Sequence, residues 1–255
     1  MKRIGYLLTA SFLLLPLLTI GYLSVATQWT FPKLWQGPFT MQYWSGLIQS
    51  GNALAASLAL SLGVSITIAG SATVFGFVVS KQLAFGAKTR GLLRLAYFPY
   101  LIAPVVFGSM LQFYFVRLGL TGSVAGVWLA QVLFVFPYGL LFLSTFWNDR
   151  LKQTAFQATT LGASSWQLYR SVLIPMARPW LFICFVQCFL ISWFEYGITQ
   201  LIGVGKVPTL TIRTMQYVRE ADPHQAALAS CLMVLPVLLL LVVNQRLFLK
   251  RVDPS

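Results

Sequence analysis

Residues Thr154–Pro179, TAFQATTLGASSWQLYRSVLIPMARP, make the longest run in the chain without a membrane-length apolar block, and they lie between two such blocks. A polar stretch so placed faces water. Ala155, Ala158 and Leu161 recur at helical spacing, and Gly162 is the kind of stop that suits a positive φ. Ser164 and Gln167 have the S-x-x-Q spacing of a capping box, which opens a second helix that Pro175 is expected to close. The spacing predicts two short helices bent at a glycine, a compact knob carried on a loop.

The chain around it is built for lipid. It is 58% hydrophobic and 9% charged, with mean hydropathy +0.76, whereas about 25% of residues are charged in a soluble domain. A helix crosses the hydrocarbon core in about 20 apolar residues. Windows at 6–27, 52–79, 92–116, 123–147, 179–202 and 225–247 meet that length. The expected fold class is all-α: a polytopic membrane protein with six transmembrane helices. Residues 1–255 form a single transmembrane domain, and the loop of about residues 150–178 joins helices 4 and 5. Lys2 and Arg3 precede the first window, whose apolar run outlasts a signal-peptide core and lacks an A-x-A site, so it reads as an uncleaved helix.

Orientation follows from the basic residues. With the N-terminus inside, Lys2, Arg3, Lys81, Lys88, Arg90, Arg94, Arg150, Lys152, Arg170, Arg178, Arg246, Lys250 and Arg251 fall on the cytoplasmic side. Lys33, Arg117, Lys206, Arg213 and Arg219 fall outside. This bias follows the positive-inside rule and places both termini and the Thr154–Pro179 knob in the cytoplasm. The net charge of +13 is scattered over membrane edges, a pattern that suits anionic lipid headgroups and not nucleic acid.

Other residues mark packing or caps. Trp29, Phe31, Trp35, Phe39, Tyr43 and Trp44 suit the membrane interface or a docking surface for an external protein, and Pro32 and Pro38 interrupt any helix there. The second window is rich in small residues, from Ala53 to Gly76, which let backbones approach closely in lipid. Pro99, Pro104 and Pro137 are expected to bend the third and fourth helices, and Gln112 and Gln131 to hydrogen-bond across the bundle. Cys184, Cys188 and Cys231 fall inside spans, far from the single histidine His224, and read as packing residues with neither a disulfide nor a metal. Ala221-Asp222-Pro223 reads as an acidic N-cap followed by proline at the first helical position, in preference to a metal site with Glu220 and His224. Gly203-Val204-Gly205-Lys206 is not a phosphate loop, because Gln200 and Val207 stand where glycine and Ser/Thr are required, so no nucleotide site is expected in this chain. Glu195 is the one acidic residue within the spans. At that depth it must face the bundle interior or water, as a functional residue or as a capping or packing one.

The Thr154–Pro179 stretch resembles the cytoplasmic coupling loop of type I ABC importer permeases, the binding-protein-dependent transport inner-membrane components, whose pattern is E-A-A-x3-G-x9-I-x-L-P. Ala158, Gly162, Val172, Ile174 and Pro175 fall on that register, and Ala163, Ser164, Trp166, Arg178 and Pro179 also read like family residues. Phe156 and Gln157 depart from it, replacing the glutamate and the first alanine. Ser192, Glu195, Tyr196 and Thr199 resemble the S-x-x-[DE]-[FY]-x-x-T stretch of permeases for polyamines, iron, thiamine or oxyanions.

The resemblance implies a permease subunit in the bacterial inner membrane, multi-pass, forming half of a translocation pathway for a small polar or charged solute. It implies two partner ATPase subunits that bind ATP and Mg while this chain holds no cofactor, a second permease copy or paralogue, and a periplasmic or lipid-anchored solute-binding protein. Coupling falls to Phe156, Gln157, Ala158, Gly162, Ala163, Ser164, Trp166, Val172, Ile174 and Pro175, and pathway contact to Ser192, Glu195, Tyr196 and Thr199. On this reading the chain is no enzyme. The alternatives are an ion-coupled carrier or channel using Glu195, and an intramembrane enzyme, which the absence of G-x-S-x-G and the position of His224 disfavour.

Overall fold

Each apolar window becomes helical, yet not each becomes one straight rod. A computed structural model describes residues 2–27, 29, 38–49, 51–86 and 90–249. Phe31, Pro32, Lys33, Trp35, Lys88, Lys250 and Arg251 lie outside the described residues, as do the side chains of Lys2, Arg3, Arg90 and Arg246. In order, the helices are α1 (Lys2–Val25), α2 (Gln42–Gly46), α3 (Ala53–Phe85), α4 (Arg90–Leu95) and, after a 3-10 turn at Phe98–Tyr100, α5 (Pro104–Arg117). Then come α6 (Val124–Ser144), α7 (Asp149–Thr160) and α8 (Ser165–Gln167). A π-helical turn, Leu168–Leu173, leads into α9 (Ile174–Trp193), followed by α10 (Gly197–Gly203), α11 (Leu210–Arg219) and α12 (Pro223–Leu249).

Four stretches are long and apolar enough to cross a membrane: Ala53–Phe85, Val124–Ser144, Ser165–Trp193 and Pro223–Leu240. The third window is bent at a proline, as expected, and sharply enough to break the helix. It is a pair, Leu93–Tyr100 and Pro104–Arg117, bent by 103°. The cause is local: the residue before a proline is pushed out of the helical region, and Ala103 is extended (φ −64°, ψ 145°) with Pro104 starting the next helix. In α1, the apolar part among the described side chains is the shorter Leu14–Val25.

The fifth window needs correction. Pro175 does not close the second helix of the knob; it sits in the first turn of α9, and helix runs from Ser165 to Trp193. A proline there lacks an N–H that a helix start does not require. The turn before it has shifted to π register, with the Ile174 N–H reaching back to the Tyr169 carbonyl. At its other end the window is interrupted at Phe194–Tyr196, and α10 begins anew at Gly197.

Packing divides the chain into two compact units, residues 1–61 with 208–255, and residues 62–207. Within the first, α1 and α11 lie against α12. Asp222 accepts from the Gln225 N–H (3.0 Å), so the expected acidic cap with proline after it is present. His224 uses Nδ1 toward the Leu23 carbonyl (3.0 Å) and stacks on Tyr43, with ring centroids 5.4 Å apart. Trp44 donates to Ser24.

Within the second unit, α6 packs on α9, and α10 on α5 and α6. The small residues of α3 have a use here: Ser65, Ala69 and Ala72 are buried. A Cβ added at Gly76 would stand 2.9 Å from the Gly139 carbonyl carbon, and one at Gly139 would stand 2.7 Å from the Ala72 oxygen. Helices α3 and α6 therefore meet backbone to backbone, the contact small residues allow in lipid. Near Pro137, the Tyr100 hydroxyl donates to the Phe134 carbonyl (2.7 Å), supplying a side-chain donor on a turn the proline disturbs. Cys184 and Cys188 are buried on α9, with sulfurs 4.0 Å apart. No cluster of three metal-ligating side chains occurs among the described residues.

Candidate functional site

The elbow is built from caps. Asn148 accepts from the Leu151 N–H (2.9 Å) to start α7, whose Leu151 and Ala155 turn inward. At its end the Gly162 N–H bonds the Thr159 carbonyl and the Ala163 N–H reaches the Ala158 carbonyl (3.1 Å), with Gly162 at φ 85°. This pair of bonds is the Schellman arrangement, and the residue at its left-handed position is the glycine expected from the sequence. Two residues later the Ser164–Gln167 capping box is complete in both directions, at 2.9 and 3.3 Å. Two helix ends thus meet with their backbone groups satisfied and almost no slack chain between them.

The outer surface of this elbow is apolar. Phe156 is 61% exposed, Trp166 70% and Leu161 88%, while Gln157, Gly162 and Ser164 are exposed beside them. Ala158, Ala163 and Val172 are half-buried, and Ile174 and Pro175 are exposed where α9 begins. The ten residues assigned to coupling from the resemblance therefore lie along one continuous segment, each of them exposed or half-buried. Leu161 is the addition, and its signal was an apolar residue directly before the glycine.

The second grouping surrounds the interruption after α9. Glu195 is 7% exposed. Its Oε1 accepts from the Ile198 N–H (2.6 Å), and its Oε2 accepts from the Thr199 N–H (2.9 Å) and the Thr199 hydroxyl (2.7 Å). The carboxylate thus satisfies the free N–H groups at the start of α10, groups that lipid would leave unpaired. Gln131 of α6 joins the cluster, donating to Thr199 Oγ1 (2.7 Å) and accepting from the Ser192 hydroxyl (2.6 Å), with its amide nitrogen 3.5 Å from Glu195. The Ser192 hydroxyl also lies 3.3 Å from that of Ser65 on α3. Ser192, Glu195 and Thr199 are brought together as a buried polar junction, and Tyr196 is half-buried at its edge. Gln131, expected to bond across the bundle, is its centre.

The turn Gly203–Lys206 closes α10 in place of opening a helix after a strand, with Val204 and Gly205 at positive φ.

Residues 72–254 match the family described as binding-protein-dependent transport system inner membrane component. The chain is 27% identical over 246 residues to the molybdenum transport system permease protein ModB of Mycobacterium tuberculosis, covering 91% of this chain and 88% of that one. It is 24% identical to the putative 2-aminoethylphosphonate transport system permease protein PhnV of Salmonella typhimurium (81% and 83% covered). It is 23% identical to the putrescine transport system permease protein PotI of Escherichia coli (89% and 83% covered). In fold it resembles a chain of a bacterial ABC transporter involved in the import of the acidic polysaccharide alginate, with TM-score 0.65 and 15% identity over 97% of this chain and 95% of that one.

Proposed function

This chain belongs to the family of binding-protein-dependent transport system inner membrane components, and from that premise we propose that it forms half of the translocation pathway of an ATP-driven importer. Residues 1–255 act as one permease domain of six spans in the inner membrane, with both termini and the elbow in the cytoplasm. Two ATPase subunits, which hold ATP and Mg, grip the elbow of this chain and that of a second permease. A solute-binding protein delivers cargo from the other side.

The observation that carries this reading is the elbow itself. A tightly capped bend presenting Phe156, Leu161 and Trp166 to water is costly to leave bare. The helix running without a stop from Ser165 to Trp193 supports its role as a lever. The relatives named above serve molybdenum, an aminophosphonate and a diamine, so the solute is assigned to the small charged class. Ser192, Glu195, Tyr196 and Thr199 line its route where the membrane helix is interrupted. In the conformation described, the Glu195 carboxylate is occupied by α10.

The test is co-purification and uptake. A P-loop ATPase should come down with the wild-type chain and be lost from Trp166→Asp. Proteoliposomes of the complex should take up labelled molybdate, 2-aminoethylphosphonate or putrescine only with internal ATP. Uptake driven by an ion gradient with no ATPase present would establish a carrier instead.

A further inference from the structure

Rings tie the elbow to the membrane helices, and we propose that Phe85 and Trp147 are positioning residues through which movement of the elbow is passed to α3. This inference rests on the functional reading above. Phe156 meets Phe85, the last residue of α3, with ring centroids 5.8 Å apart at 61°. Phe85 in turn meets Trp147 edge-on at 5.8 Å. Trp147 lies in the link between α6 and α7 and is buried. It stacks on Phe77 at 5.5 Å and donates its indole N–H to the Ser80 hydroxyl at 2.9 Å.

Residues 77, 80, 81 and 85 recur at i, i+3, i+4 and i+8, which is one face of a helix. That face of α3 holds both arms of the elbow. It holds α7 through Phe85 and Phe156. It holds the π turn through Phe77, whose ring lies 6.3 Å edge-on to Tyr169, and through Lys81, whose ammonium stands 3.8 Å over the same ring. Edge-to-face and stacked rings resist sliding because their attraction depends on relative orientation. A push on the elbow therefore shifts the cytoplasmic end of α3, where a loosely attached loop would flex and absorb it. Residue 156 acquires a meaning in this arrangement: where the permease pattern has a glutamate, this chain places a ring that seats on Phe85.

Spin labels at Gln82→Cys on α3 and Gln153→Cys on α7, both exposed positions, read the joint in the full ATPase complex in nanodiscs. The background lacks Cys184, Cys188 and Cys231. With the wild-type joint, the label distance should be the same without nucleotide and after trapping with MgATP and vanadate. Phe85→Ala should let it shift and broaden on trapping while the ATPase still co-purifies. Phe85→Trp should restore a constant distance, and Phe85→Leu, which keeps apolar bulk and protects folding, should restore it only in part. A constant distance in Phe85→Ala and Phe85→Leu, with the complex intact, would overturn the joint. Failure of the wild-type chain to bring down any ATPase would overturn the functional reading itself, a result readable before any label is introduced.

Discussion

Replacing Glu195 with glutamine tests what holds the helix interruption together. The carboxylate accepts from two backbone N–H groups and one hydroxyl, all between 2.6 and 2.9 Å. Glutamine is nearly the same size but offers one acceptor oxygen and turns the other position into a donor. Whichever way the amide is set, its NH2 faces either the Ile198 or the Thr199 N–H, and the Gln131 amide already occupies the Thr199 hydroxyl at 2.7 Å. One buried N–H is left unpaired, and the remaining bonds lose the help of a charged acceptor. The expected loss is about 2–4 kcal/mol. In a domain of this size that is a fall in unfolding temperature on the order of 5–15 °C. The assays are thermal unfolding of the purified complex and amide hydrogen exchange at Ile198 and Thr199. Unchanged melting and unchanged exchange, accompanied by altered uptake, would refute the capping role and leave the carboxylate to the solute alone.

Three further outcomes are expected. Gly162 has open space around its would-be Cβ but sits at φ 85°, so the cost of substitution is backbone strain alone: Gly162→Val should cost about 1–3 kcal/mol and weaken ATPase co-purification, while Gly162→Asn should be tolerated. Equal effects of the two would contradict this. Gly139→Ala sets a Cβ 2.7 Å from the Ala72 oxygen, where backbone meets backbone and neither side yields; separation of α3 from α6 should cost about 1–3 kcal/mol in thermal unfolding, and a neutral variant would disprove the close crossing. Asn148→Ala removes the cap on α7, worth about 1 kcal/mol, and should speed proteolytic nicking near residues 149–152 while lowering global stability by no more than that amount.

Features set by neighbours a few residues apart were legible without a structure. The Schellman glycine at Gly162, the Ser164–Gln167 box and the Asp222-Pro223 start are each fixed by atoms within one helical turn, so their spacing is their geometry. The apolar windows were legible for a different reason: lipid demands length and composition, which can be counted. Counting fails where continuity matters. The windows at 92–116 and 179–202 satisfy the sum, yet one is bent by 103° and the other is interrupted after Trp193. Likewise Pro175 looked like a stop, because whether a proline ends a helix or begins one depends on which side the helix is anchored. The network around Gln131 was out of reach, since its partners Ser192, Glu195 and Thr199 lie more than 60 residues away and only packing of α6 on α9 and α10 brings them together.

One rule would have located the second break. A helix interrupted inside lipid exposes new N–H groups that no water can satisfy, so an acceptor must stand just before the restart. In this chain that acceptor is the only acidic side chain in the apolar windows, and it lies two residues ahead of Gly197. Read alone, Glu195 suggests a solute contact. Read with the glycine that follows, it marks a place where the membrane helix stops and starts again. Under the proposed function the two meanings are compatible: if the break opened, the carboxylate that caps α10 would be freed to meet a solute.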